Sequence, residues 1–214
     1  MQTSRGKGPA LTEGACEDCL LRQLCPGVAD TPESAALAVG IVQRRRTVNG
    51  GAVLHKVGDA FSTVYAIHIG AVKGSDFQSD GRERITAFYL PGELLGLDGF
   101  HTGAYTCQAS ALVDTTICEL DLKRIEQLED QQWEFVRVMS KVVADQKRRL
   151  MVGRLDPEER VQEVLRDICD RLSLDPGALQ EERLPMSRAD LASYAGVDVG
   201  TVGQVLGAVG DRRA

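Results

Sequence analysis

Between residues 41 and 120 the apolar residues come in short runs broken by glycine and polar turns. IVQRRRTV (41–48) leads into Asn49-Gly50-Gly51, a hairpin-type turn signal. TVYAIHIG (63–70) alternates, with Tyr65, Ile67 and Ile69 on one face and Val64, Ala66 and His68 on the other. AVKGSDF, RITAFYL, AYTCQAS and DTTICEL follow, with turn residues between them. Short strands at regular spacing predict an antiparallel sandwich or jelly roll.

The period then changes. From 122 to 153, Val136, Met139, Val143, Gln146 and Leu150 recur at coiled-coil spacing. A dimer seam and a single amphipathic helix packed on its own sheet both satisfy that pattern. The expectation adopted is a dimer seam at Val136, Met139, Val143 and Leu150, with polar Gln146 fixing register. LDPEERVQEVLRDICDRLSL (155–174) is a second helical segment opened by Asp156 and Pro157, and DPGALQEERLP (175–185) is a loop. In the next stretch Ser187 is an N-cap, Leu191 and Tyr194 share a face, and Gly196 ends the helix. Asp198 then caps a helix containing Val202, Val205, Leu206 and Val209, so the pair reads as helix-turn-helix. At the other end, residues 1–14 read as unstructured. TPESAALAVG (31–40) reads as a short helix between Thr31-Pro32 and Gly40.

The chain has 214 residues, enough for one large or two small domains, with ordinary apolar (43%) and charged (26%) fractions. No apolar run approaches the ~20 residues of a membrane span, and MQTSRGKGPALTEGA lacks the apolar core of a secretory signal. The expectation is a cytoplasmic protein with reduced thiols. A net charge of −6 opposes non-specific attraction to nucleic acid or anionic membrane. With no nucleophile–base pair, phosphate loop or dinucleotide fingerprint in context, an enzyme is not expected.

Three of the six cysteines, Cys16, Cys19 and Cys25, fall within GACEDCLLRQLCPG (14–27). A reducing compartment disfavours disulfides there. The residues alone leave zinc and an iron–sulfur cluster open, since four thiolates suit either. Only one paired knuckle is present, where zinc sites show two.

Several stretches together resemble the FNR-type oxygen sensors of the cyclic-AMP-receptor-like (CRP/FNR) transcription factors. They are C-x2-C-x5-C, YAIHIGAVK, LPGELLGLDGF, ALVDTTICEL and PMSRADLASYAG. The resemblance spans about 14 to 210. It implies an α+β chain: an N-terminal cluster-binding segment (1–30), a β-roll sensor domain (31–121), a long dimerisation helix (122–153) and a helix-turn-helix DNA-binding domain (154–214). It implies a [4Fe–4S] cluster on Cys16, Cys19, Cys25 and Cys118, with Cys107 the competing fourth ligand. Cys169 reads instead as a buried small hydrophobe. Oxygen conversion of the cluster to [2Fe–2S] would weaken a homodimer on palindromic double-stranded DNA, with RNA polymerase as a further partner. Ser187, Arg188, Asp198, Thr201 and Gln204 are the implied DNA-facing residues.

The β-roll also resembles cyclic-nucleotide modules, which hold the ribose with Gly-Glu and the phosphate with a following Arg-Ser/Thr-Ala. Gly92-Glu93 is present, but GAYTCQAS (103–110) carries no arginine, so no cyclic nucleotide is expected. Gly92-Glu93 then reads as a turn, and His55, His68 and His101 as structural or surface residues.

The DNA-reading end departs from the family. Gly200, Gly203 and Gln204 stand where the family carries Glu, Ser and Arg; Thr201 is kept. From 156 to 214 seven basic residues face twelve acidic ones, few for phosphate contacts. The chain also stops before the family's terminal wing, so the domain reads as truncated. Two expectations follow: an oxygen-responsive DNA-binding regulator with altered specificity, or a sensor that has lost sequence-specific DNA binding and acts through protein partners or inactive heterodimers.

Overall fold

The computed structural model describes residues 42–121, 155–174 and 181–211. The expected helix at 31–40, the loop with Cys16, Cys19 and Cys25, and the seam with Val136, Met139, Val143, Gln146 and Leu150 lie outside these residues. The chain divides into two compact units, with residue 42–121 in one and 155–211 in the other.

The first unit holds eight strands: β1 (Val42–Val48), β2 (Val53–His55), β3 (Thr63–Ile69), β4 (Val72–Phe77), β5 (Glu83–Tyr89), β6 (Leu94–Leu95), β7 (Gln108–Ala111) and β8 (Thr115–Asp121). They form two four-stranded antiparallel sheets, β1-β8-β3-β6 and β2-β7-β4-β5. Tyr65, Ile67, Leu95 and Ile117 of the first sheet pack on Val72, Ala109 and Ala111 of the second. The β3 alternation appears as read, yet Val64 and Ala66 on its other face are buried too.

The Asn49-Gly50-Gly51 turn forms, with Ala52 N–H on the Asn49 carbonyl at 3.0 Å. It does not make a hairpin: β1 pairs with β8 and β2 with β7, so the turn passes the chain between sheets. Gly51 N–H bonds to Ala111 in β7 instead of closing onto β1. Gly70 is required at the β3–β4 turn. It has φ +102°, and a Cβ there would lie 2.4 Å from Thr115 Oγ1.

The second unit holds α1 (Pro157–Arg171), α2 (Arg188–Ala195) and α3 (Val199–Asp211). Asp156 caps α1 by accepting from Glu159 N–H, with Pro157 in the first turn. Val161, Val164, Leu165, Ile168 and Cys169 make its buried stripe, so Cys169 packs as a small hydrophobe. Ser187 and Asp190 form a reciprocal capping box on α2, and Gly196, at φ 65°, ends it in the left-handed region.

Candidate sensor cysteine and nucleic-acid interface

Strand β8 turns Ile117 toward the opposite sheet and Cys118 to the other face, because side chains alternate along a strand. Cys118 is only 5% exposed. Register puts Arg45, Cys118 and Ala66 in one row across β1, β8 and β3. In that row Arg45 Nε donates to Cys118 Sγ at 3.4 Å. A ligating thiolate accepts the same kind of bond, which tunes its donor strength. Among the described residues no three His, Cys, Asp or Glu side chains converge for a metal, so any metal centre at Cys118 needs ligands from outside them.

Cys107 sits in a different setting. Burial, and then the negative charge of Asp98, push its thiol up to about 12. A ligand must be a thiolate, and both effects oppose that form at Cys107. Asp98 itself is a hub. Its Oδ2 accepts from Thr106 N–H (2.6 Å), Thr106 Oγ1–H (2.8 Å) and Cys107 N–H (3.1 Å). Burial opposes its ionisation, but these bonds outweigh it and its pKa is lowered. His55 is buried and stacks on Tyr105 with ring centroids 3.8 Å apart. Its pKa is lowered, mainly by desolvation. Gly92-Glu93 is a turn, as read: Glu93 N–H bonds to the Leu90 carbonyl, and Leu90 N–H to Glu93 Oε2.

The α2–α3 pair places four of the five DNA-facing candidates in local roles. Ser187 Oγ accepts from Asp190 N–H at 3.1 Å to cap α2. Asp198 caps α3 by accepting from Thr201 N–H (2.9 Å) and from the Thr201 hydroxyl (2.7 Å), which lower its pKa. Arg188 is clamped by Glu181, Nε to Oε1 at 2.7 Å and a terminal nitrogen to Oε2 at 2.6 Å. Gln204 is exposed. Around it α3 is bare. A Cβ on Gly207 would meet nothing within 4 Å, and one on Gly203 only the Arg188 guanidinium at 3.4 Å. A Cβ on Gly200 would press the Asp198 cap at 2.9 Å.

Sequence reasoning missed Arg45, Asp98 and Glu181. Arg45 lies in a visible RRR run, but only β-strand register shows which arginine reaches the sulfur. Asp98 lies inside LPGELLGLDGF, which assigns it no role, and Glu181 carries no motif.

Residues 45–132 match the cyclic nucleotide-binding domain family. The chain is 34% identical over 201 residues to the transcriptional activator protein Anr of Pseudomonas aeruginosa, covering 92% of this chain and 82% of that one. It is 29% identical to the anaerobic regulatory protein of Haemophilus influenzae, covering 90% and 77%. Among solved structures it superposes on FixK2 from Bradyrhizobium japonicum with TM-score 0.66 and 26% identity, over 79% of this chain and 85% of that one.

Proposed function

We propose, from the premise that the chain belongs to the CRP/FNR family of transcription regulators, that it is an oxygen-responsive regulator built on a [4Fe–4S] cluster. Cys16, Cys19, Cys25 and Cys118 are its ligands in this reading. The single observation that carries it is the contrast between the two β-unit candidates for the fourth position. Cys118 is buried and accepts an N–H from Arg45. At Cys107 burial, and then the charge of Asp98, oppose the thiolate form, and Asp98 already accepts from its backbone N–H. When bound, the cluster supplies an oxygen-labile link between the N-terminal thiolates and the sheet. The residues of this chain fix the thiolate's place, through the β1–β8–β3 row, and donate one hydrogen bond to it.

The output in this reading is a homodimer through the 122–153 helix, engaging RNA polymerase and a palindromic DNA site through α2 and α3, in the cytoplasm. Domain limits near 30, 121 and 153 belong to the same proposal. A second reading has an observation of its own. Arg188 is engaged by Glu181, and α3 has no side chain at Gly200 and Gly203. That favours a sensor acting through protein partners or inactive heterodimers, with weak sequence-specific DNA binding.

The test is anaerobic reconstitution with iron and sulfide, followed by visible absorbance and by titration of a labelled palindromic FNR-type site. Cys118→Ala is expected to abolish the absorbance and Cys107→Ala to keep it. Absorbance retained in Cys118→Ala would overturn the ligand assignment. Binding to the site that is lost in air supports the regulator reading. A cluster that forms without DNA binding selects the second.

A further inference from the structure

In cyclic-nucleotide modules the phosphate is taken by donors of the second half of the cassette. The corresponding donors here are Thr106 and Cys107, and they are already in use. Two consecutive backbone N–H groups and the Thr106 hydroxyl converge on one oxygen of Asp98, at 2.6 to 3.1 Å. Adjacent amides aimed at one point are an anion-holding arrangement. Tyr105 precedes these donors, and its hydroxyl is turned away to donate to the Thr63 carbonyl at 2.6 Å. No Lys or Arg occurs from 85 to 122, so no cation from this stretch could offset a second negative charge beside Asp98. The Gly-Glu half is occupied as well, since Glu93 reaches back to Leu90 N–H.

We propose that the phosphate site of the β-roll persists in this chain and is filled from within by the Asp98 carboxylate. The carboxylate comes from the short 3-10 turn Leu97–Phe100, which places it on the Thr106–Cys107 amides. Asp98 Oδ1 and both ring nitrogens of the buried His55 make no well-formed hydrogen bond. An added phosphate would have to displace Asp98 or share its donors against like charge. The inference concerns the β-roll alone and stands or falls independently of the cluster.

The experiment uses the full chain and two probes, inorganic phosphate and cyclic AMP, each against chloride at matched ionic strength. The wild type is expected to melt at the same temperature with and without either probe, once the general salting effect of phosphate is subtracted. In Asp98→Ala the vacated donors take phosphate, and the melting temperature rises by about 4 °C at tenfold excess over the dissociation constant. Asp98→Asn keeps an acceptor oxygen on the same donors and is expected to stay insensitive. A folded Asp98→Ala with no phosphate-specific rise would overturn the proposal. So would saturable binding of cyclic AMP to the wild type. If Asp98→Ala is recovered only when refolded in phosphate, the site is supported. If it fails to fold in phosphate and chloride alike, Asp98 serves the turn and not an anion site, and the proposal fails.

Discussion

The two units are built equally well inside and differently outside. In the β unit, Ile117, Phe88 and Leu95 are fully buried; in the helical unit, so are Ile168, Leu191 and Val202. Polar side chains in the β unit are spent on fixing the scaffold: Tyr105 ties Thr63, Asp98 ties the 106–107 loop, and Arg45 reaches Cys118. In the helical unit several of them fix helix ends. Asp156, Ser187, Asp198 and Gly196 all act as caps. What the helical unit lacks is side chains at positions 200, 203 and 207 of α3. In the proposed function, folding and DNA recognition therefore fall to different residues of α3. Val202 and Val205 hold α3 in place from within, while 200 and 204 are exposed and 203 is half-buried. A helix can lose the second set and keep the first, because exposed positions carry little stability.

The most direct way to break the comparison is to test whether the interiors are equivalent. Ile117 and Ile168 are each 0% exposed. Truncation to Ala is expected to cost about 2–5 kcal/mol at either site, by lost transfer energy plus the residual cavity. Urea unfolding, followed by near-ultraviolet signals from each unit, reads the two costs. A loss at Ile168 of well under that range would mean that the helical unit has a loose interior. Its bare reading face would then be part of a general decay rather than a selective one.

The outer face offers the next test. Gln204→Arg with Gly203→Ser is expected to raise discrimination for an FNR-type site by about 1–3 kcal/mol, the worth of a bidentate arginine–guanine contact. A side chain at 203 has room, since its Cβ would meet only the Arg188 guanidinium at 3.4 Å. Gly200 is left alone, because a Cβ there would press the Asp198 cap at 2.9 Å. Competition binding between the matched site and a scrambled duplex measures the gain. An unchanged ratio would place the defect in phosphate contacts and not in base reading.

How far the sequence could be read differs between the units for a physical reason. Helix ends are local chemistry, so Asp156, Ser187, Gly196 and Asp198 could be read as caps from their neighbours alone. Strand β3 showed its alternation, and β4, β5 and β8 stood out as short runs between turn residues. The short strands β2 and β6 are three and two residues long and leave no period to detect. The turn at 49–51 was visible, but turn chemistry does not specify which sheet the next strand joins. Contacts across the chain were the blind spot. Arg45 and Cys118 are 73 residues apart and meet through register alone. Cys118 itself stood out only through a family resemblance, and its setting against that of Cys107 emerged from the sheet.

The smallest expected effect sharpens the comparison most, because it separates an absent reading residue from an engaged one. Arg188 is present, exposed and held at both ends of its guanidinium by Glu181. The pair raises the pKa of Arg188 and lowers that of Glu181, the hydrogen bond being the larger cause in each. A DNA phosphate at Arg188 would have to replace that carboxylate or lie beside it. Exposed ion pairs are weak, so Glu181→Gln is expected to raise DNA affinity only about threefold. The gain should be seen at low salt and fade as salt screens both the pair and the phosphate. Affinity measured at several salt concentrations for both proteins checks this. Because the change removes a repulsion from the complex and adds no new phosphate contact, it should act equally on matched and scrambled duplexes. A gain confined to the matched site would mean that Arg188 reads a base. No gain at any salt would place Arg188 off the DNA-facing surface, leaving Thr201 and Gln204 as the outward polar side chains of α3 able to serve it.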